Sequence, residues 1–126
     1  MADIDNFKII NDQHSHTAGD NILVKTTEIM RSLLPESDLV ARWGGEEFIF
    51  YLGNKNIDHA FKIIEQIRLK IENTDFNYKG NLIPVTCTFG ICHRDAEMGL
   101  KDCINLADEA MYKGKKKGKN ITVISK

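Results

Sequence analysis

The chain has 126 residues, a mass of 14.3 kDa and 42% hydrophobic residues, which is the size of one compact domain. Its 17 lysine and arginine residues against 18 aspartate and glutamate residues give a formal net charge of -1, so no overall field favours nucleic acid or an anionic membrane. There is no secretion signal, no apolar run of membrane-spanning length, and no disulfide-framework or zinc-site spacing among the three cysteines. We therefore expect one cytoplasmic domain without membrane insertion or nucleic-acid binding.

Three segments have apolar residues at helical spacing. They cover residues 20–34, 57–71 and 100–116. Pro35 stops the first run, and Gly118 follows the third at the position typical of a helix end. Each segment predicts an amphipathic helix with one buried face.

Four segments rich in β-branched and aromatic residues are predicted strands: 39–43, 47–52, 82–93 and 121–124. Gly44 and Gly45 separate the first two, which predicts a hairpin with the glycines at its turn. Pro84 indicates that the long third strand begins at a sheet edge. Helices and strands alternate around a central hairpin, and this order predicts an α+β domain with a mixed, mostly antiparallel sheet flanked by helices.

Acidic residues occur in two short patterns. In Asp3-Ile4-Asp5 the two carboxylates lie two residues apart and would share one face of a strand, where they could hold Mg²⁺ or simply be solvated. Glu46 and Glu47 directly follow the double glycine, which lets a bulky ligand come close to them. Each pattern by itself is ambiguous.

Five lysines are concentrated at the end of the third predicted helix: Lys113, Lys115, Lys116, Lys117 and Lys119. Cations stabilise a helix C-terminus, so a solvated helix end and a phosphate site are both consistent with this run. Gly114 and Gly118 do not have the spacing of a Walker motif.

The segment around His14-Ser15-His16 is predicted to be a polar turn. Asn11 and Asp20 flank it, and an amide together with a carboxylate could read the hydrogen-bonding edge of guanine. The alternative role for Asp20 is to cap the helix that follows.

Three segments resemble the GGDEF family of diguanylate cyclases: DIDNFKIINDQHSHTAGD at 3–20, ARWGGEEF at 41–48 and ADEAMYKGKKKGKN at 107–120. They follow the family's order and together span nearly the whole chain. The resemblance implies a palm or ferredoxin-like nucleotidyl cyclase fold with a GGEEF hairpin. It also implies condensation of two GTP molecules into cyclic di-GMP with release of two pyrophosphates, using Mg²⁺ or Mn²⁺. Each subunit of a homodimer would hold one GTP.

The same resemblance assigns the metal and catalytic positions. Asp3, Glu46 and the backbone carbonyl of Ile4 would bind the metal. Glu46 would also activate the attacking 3′-hydroxyl, and Glu47 would be a supporting acid without a fixed role.

The substrate-binding positions carry over in two groups. At the guanine base the family positions are Asn11, His16 and Asp20. At the phosphates they are Lys8, Lys115 and Lys119, with the backbone N–H groups of Asn6 and Phe7.

The sequence departs from the family pattern at three places. Ser15 replaces a glycine, which would cost about 1 kcal/mol if the position needs a positive φ. Lys119 replaces an arginine and loses its planar fork, so we expect weaker triphosphate binding. Pro35 takes the place of the arginine in the R-x-x-D motif that ends at Asp38, so we expect no product-inhibition site.

The chain begins inside the family's first core strand and lacks the helix that normally precedes it. We therefore expect a piece of a longer protein, with sensory or receiver domains elsewhere, either free in the cytoplasm or as the cytoplasmic part of a membrane-anchored sensor. The alternative function is a catalytically weak or inactive GTP-binding or dimerisation module.

Overall fold

The computed structural model describes residues 1–126 and contains four helices and seven strands. The helices are α1 Phe7–Gln13, α2 His16–Ser32, α3 Ile57–Glu72 and α4 Leu100–Lys116. The strands are β1 Ala2–Ile4, β2 Leu39–Gly44, β3 Glu47–Tyr51, β4 Phe76–Tyr78, β5 Asn81–Ile83, β6 Cys87–Ile91 and β7 Thr122–Ile124.

Five strands form the main sheet in the order β2-β3-β1-β6-β7. All neighbours are antiparallel except β6 and β7, which run parallel, and β4 pairs with β5 in a separate hairpin. The α+β prediction with a mixed, mostly antiparallel sheet is confirmed. The first strand of the chain lies at the centre of the sheet, paired on both sides.

The two faces of the sheet have different partners. Because side chains alternate along a strand, Ala2 and Ile4 enter the main apolar core with residues of α2 and α3. The opposite face lies against α4, which packs directly on Gly90 of β6. A Cβ atom at Gly90 would lie 2.0 Å from the carbonyl oxygen of Ala107, so only glycine permits this approach. The face that carries Asp3 is therefore the face covered by α4.

Helices α3 and α4 confirm the predictions for 57–71 and 100–116 to within one residue. The predicted helix 20–34 begins four residues earlier, at His16, because the Ser15 hydroxyl caps it there, and it ends at Ser32. The short helix α1 was not predicted, since Ile10 is its only buried residue and gives no periodic signal.

Two strand predictions were wrong in detail. The long strand 82–93 is broken after Ile83, where Pro84 separates the small hairpin from β6. The turn between β2 and β3 is formed by Gly45, with φ of 55°, and Glu46 rather than by the two glycines. Glu46 consequently lies in the turn itself.

Candidate nucleotide and metal site

The carboxylates of β1 and of the β2–β3 hairpin lie together. Asp3 is directly opposite Glu47 in the antiparallel register, which puts both side chains on the α4 face. The Ile4 N–H donates to the Glu46 carbonyl oxygen at 3.2 Å, so the end of β1 adjoins the turn. The structure thus brings three acidic residues from two distant segments to the end of the sheet where β1 stops and β3 begins. This end of the sheet is called the acidic edge below.

The electrostatics of this edge disfavour negative charge. Burial raises the pKa of Asp3, and the charges of Glu46 and Asp5 raise it further against the opposing effect of Lys115. Burial also raises the pKa of Glu47, with a further contribution from Asp3. Carboxylates that repel one another in this way gain from a bound cation.

Lys115 supplies one cation from the chain itself. It lies in the last turn of α4, with Nζ 3.1 Å from Asp3 Oδ1 and 2.6 Å from Asp5 Oδ1. Burial alone would lower the pKa of Lys115, but its hydrogen bonds and ion pairs with Asp5 and Asp3 outweigh burial and raise it. The ammonium group therefore stays charged beside the acids.

Asp5 is the residue that sequence reasoning missed. It was considered only as a second metal-binding carboxylate, yet it is 2% exposed and accepts hydrogen bonds from Thr86, Thr88, Lys115 and the Asn120 N–H. Its alternation with Asp3 was the available signal, because it placed both carboxylates on the same face.

The other predicted phosphate-binding groups lie around the start of α1. Lys119 Nζ contacts the Asn6 side-chain oxygen, although 113 residues separate them in the sequence. Lys8 is exposed and forms no ion pair. The Phe7 side chain packs against the main core, so only its backbone N–H is available to a ligand.

The predicted guanine-reading residues lie on α1 and α2. Asn11 belongs to α1, and its Oδ1 atom is buried without a hydrogen-bond partner. Gly19 of α2 touches it, since a Cβ at Gly19 would lie 1.8 Å from that oxygen. His16 and Asp20 are exposed on the first two turns of α2. The structure brings these residues to one helix junction but contains no ligand contact.

Two expectations for this segment were wrong. Asp20 does not cap α2, because it lies one turn inside the helix and the Ser15 hydroxyl accepts the Ala18 N–H at 3.1 Å. Ser15 has a φ of 166°, which is ordinary extended backbone. It is therefore outside the left-handed region, and the expected strain of about 1 kcal/mol does not arise. The Ser15 hydroxyl also donates to Tyr78 Oη at 3.2 Å.

Asp38 has structural partners near the β3–α3 connection. Its Oδ1 atom accepts from Lys55 Nζ at 2.8 Å and from the Gly53 N–H at 3.0 Å. Its side chain is fully buried in this ion pair.

The donors at the acidic edge fit a hard divalent cation. Asp3, Glu46 and Glu47 offer carboxylate oxygens, which Mg²⁺ and Mn²⁺ prefer. No group of three or more His, Cys, Asp or Glu side chains is arranged to hold a metal ion alone. An ion here would complete its shell with water or substrate phosphate oxygens, as Mg²⁺ usually does.

Nearly the whole chain matches one protein family. Residues 1–121 match the family described as diguanylate cyclase, GGDEF domain. This chain therefore belongs to the GGDEF diguanylate cyclase family.

Individual relatives agree with the family match. Diguanylate cyclase A of Treponema denticola is 38% identical over 127 residues, which covers 100% of this chain and 34% of that protein. The active GGEEF domain of a Vibrio cholerae diguanylate cyclase is 32% identical, with a TM-score of 0.90 over 99% of this chain and 80% of that one. The diguanylate cyclase SiaD of Pseudomonas aeruginosa, solved with its activator SiaC, is 31% identical, with a TM-score of 0.95 over 98% of this chain and 48% of that one.

The chain thus spans about a third of the Treponema relative's length. None of its helices is long and apolar enough to cross a membrane.

Proposed function

We propose that this domain is a diguanylate cyclase, which condenses two GTP molecules into cyclic di-GMP and two pyrophosphates. One observation carries the proposal: the register of β1 and β3 sets Asp3 opposite Glu47 and beside Glu46, with the Lys115 ammonium 3.1 Å from Asp3. The identity of 32% to an active GGEEF domain supports it.

The proposed site has two parts. The phosphate end consists of Asp3, Asp5, Glu46, Glu47, Lys115 and Lys119. The guanine end consists of Asn11, His16 and Asp20. Asn6, Phe7 and Lys8 lie on the stretch of chain between them, which suits a nucleotide that spans both ends.

The residues at the phosphate end suit transfer of a nucleotidyl group. The 3′-oxygen of one GTP attacks the α-phosphorus of the other, and pyrophosphate leaves with the electron pair of the broken P–O bond. Negative charge then grows on the phosphate oxygens, where the ammonium groups of Lys115 and Lys119 stabilise it. Glu46 takes the proton of the attacking hydroxyl. Lys119, in place of an arginine, holds the phosphates with a point charge and binds them more weakly.

Mg²⁺ or Mn²⁺, held by Asp3, Glu46 and the Ile4 carbonyl, would polarise the phosphate oxygens and screen the triphosphate from the carboxylates. Without a cation the acids at this edge would repel the substrate. This is the physical reason that the proposed reaction needs a divalent ion.

Two copies of the chain are needed for the cyclic product. Each copy has one phosphate end and one guanine end, and therefore holds one GTP. The product contains two equivalent linkages, so a twofold homodimer that sets the nucleotides face to face makes both by the same chemistry. We propose that the full-length protein joins this domain to sensory or receiver domains in the cytoplasm, and that Pro35 leaves it without product inhibition.

Incubation with GTP and Mg²⁺ tests the proposal. We expect release of pyrophosphate and formation of cyclic di-GMP, both dependent on the divalent ion and on protein concentration. The Glu46→Gln variant should produce neither, whereas Glu28→Gln, an exposed acid on α2 that forms no ion pair, is the matched control and should keep turnover.

Calorimetry with GTP distinguishes the cyclase from the alternative function, a GTP-binding or dimerisation module without activity. Binding without turnover would support the inactive binding or dimerisation module. Absence of GTP binding by a folded protein would contradict both functions.

A further inference from the structure

We propose that Asp5 is a positioning residue that orients both phosphate-binding lysines, Lys115 and Lys119. It is neither a metal ligand nor a group that touches the nucleotide. The inference rests on the proposed function, because it concerns how the chain presents its cations to a nucleoside triphosphate.

Both oxygens of Asp5 are fully hydrogen-bonded within the chain. Oδ1 accepts from the Thr88 hydroxyl at 2.7 Å and from Lys115 Nζ at 2.6 Å. Oδ2 accepts from the Thr86 hydroxyl at 2.7 Å and from the Asn120 N–H at 3.0 Å. Two bonds to each oxygen and an exposure of 2% leave little room for a metal ion or a phosphate. These contacts give Asp5 an internal role, in contrast to the more exposed Asp3.

Lys115 forms ion pairs with two carboxylates. Its ammonium group lies between Asp3 and Asp5, at 3.1 and 2.6 Å from their Oδ1 atoms. When the Asp3 carboxylate binds a metal ion instead, Lys115 loses one of its two anionic partners. Asp5 then keeps the lysine at the edge of the site. Because the Asp3 carbonyl oxygen also accepts from Lys115 Nζ, at 3.4 Å, at least one of the three N–H donors is left for phosphate oxygens.

Asp5 also holds the loop after α4. Lys119 and Asn120 have φ values of 65° and 47°, a left-handed conformation that disfavours residues other than glycine. The Asn120 N–H is held by Asp5 Oδ2 at 3.0 Å and by the Thr88 hydroxyl at 3.1 Å. Loss of the Asp5 acceptor therefore loosens the loop from which Lys119 projects.

A double-mutant cycle tests the role. Asp5→Asn keeps the size of the side chain but removes its charge and one acceptor oxygen. We expect kcat/KM for GTP to fall roughly tenfold to a hundredfold, mainly through KM, with a parallel loss in calorimetric affinity for a non-hydrolysable GTP analogue. In a Lys115→Ala background the same change should cost only about threefold, because residues that act together are not additive. This remaining loss of about threefold is expected to come from the loosened Lys119 loop.

The thermal midpoint gives a second, independent reading of the cycle. Lys115→Ala leaves the buried Asp5 carboxylate without its cation, which is strongly destabilising. Asp5→Asn introduced into that variant should therefore raise Tm, although it lowers Tm in the parent protein.

Asp38→Asn is the matched control. Asp38 is also a buried carboxylate, 6% exposed, and it pairs with Lys55 and the Gly53 N–H at the end of the β2–β3 hairpin opposite the Glu46 turn. This variant should lower Tm while KM for GTP stays unchanged, and its effect should add to that of Lys115→Ala. If Asp5→Asn does not fold, Thr86→Val removes one bond to Oδ2 without changing charge and should show a smaller effect with the same non-additive pattern.

Three outcomes would overturn the proposal. A fully additive cycle would make Asp5 a structural residue only. A large shift of the Mg²⁺ requirement in Asp5→Asn with unchanged GTP affinity would make it a metal ligand. Absence of both turnover and GTP binding in the parent protein would instead reject the proposed function, and this inference with it.

Discussion

The phosphate end and the guanine end of the site differ in how their polar groups are satisfied. At the phosphate end, Lys115 forms ion pairs with both Asp3 and Asp5 within the chain, and the buried Asp5 carboxylate has four partners. At the guanine end, Asn11 Oδ1 is buried without a partner, and Asp20 is exposed and unpaired.

In the proposed site, the two ends would therefore contact a nucleotide in different ways. Groups that are already paired must exchange partners on binding, so the phosphate end sets the strength and ion dependence of binding. At the guanine end, the buried Asn11 Oδ1 has no hydrogen bond to give up, and the exposed Asp20 carboxylate exchanges only water, so a wrong base would leave both groups unsatisfied. The guanine end is therefore where selectivity is expected.

The largest expected effect is at the phosphate end. Asp3→Asn removes the carboxylate beside Glu46 and Glu47, and we expect GTP turnover to fall at least about a hundredfold. The ionised Asp3 is disfavoured in the fold, since its pKa is raised, so it destabilises the protein at neutral pH. The amide should therefore keep or raise Tm. Pyrophosphate release and differential scanning fluorimetry measure the two effects, and a lower Tm would contradict the electrostatic argument.

Asp20→Ser should have the next largest effect, this time on base choice. Removal of one carboxylate from the guanine edge should reduce the preference for GTP over ATP by about tenfold to a hundredfold. Because Asp20 is exposed and makes no ion pair, Tm should not change. Competition assays with both nucleotides measure the ratio. Unchanged selectivity would show that Asp20 does not read the base.

Gly19→Ala should act through Asn11. The new Cβ would lie 1.8 Å from Asn11 Oδ1 and 3.0 Å from the Phe7 ring, so the amide must move. We expect KM for GTP to rise about tenfold and stability to fall by about 1 kcal/mol. Gly99→Ala is the control, since its Cβ would meet only the flexible Asp102 carboxylate, at 3.2 Å, and KM should stay constant.

The smallest expected effect concerns Arg68 of α3, which contacts the loop that contains Lys119 and Asn120. Arg68 hydrogen-bonds Glu65 and also donates to Asn120 Oδ1 at 2.9 Å. The hydrogen bond from Arg68 holds the pKa of Glu65 below its usual value of 4.5. The stability it contributes is thus present above pH 4.5 and is lost as pH falls through the lowered pKa.

Glu65 is partly exposed, and solvent screening keeps this contribution under about 1 kcal/mol. Urea unfolding of the parent protein and of Glu65→Gln should differ at pH 7, and the difference should shrink progressively as the pH is lowered below 4.5. A difference that persists at the lower pH would contradict the ionic origin.

Sequence patterns predicted the parts of the fold that depend on local periodicity. The amphipathic spacing of α3 and α4 and the hairpin around Gly45 were found because each signal lies within a few consecutive residues. Helix α1 escaped prediction since it buries only Ile10. Pro84 was interpreted as the sign of a sheet edge at the start of one long strand, whereas it lies between two separate sheets.

The candidate site shows the same limit. Family motifs named the acids and the lysines, but the internal pairing of Lys115 with Asp3 and Asp5 depends on how α4 packs on Gly90. The role of Asp5 depends on hydroxyl groups of Thr86 and Thr88 that are more than 80 residues away in the sequence. No local pattern contains such partners.

The central position of β1 has a consequence for biosynthesis. Asp5 meets Lys115 across 110 residues and the Asn120 N–H across 115. Contacts this distant in sequence form late and slow the folding rate. A nascent chain emerging from the ribosome exposes its acids long before the cations that neutralise them are translated. The buried Asp5 carboxylate therefore gains its partners only after the segment with Lys115 and Asn120 has been synthesised, and a chain interrupted before Lys115 should lack these contacts.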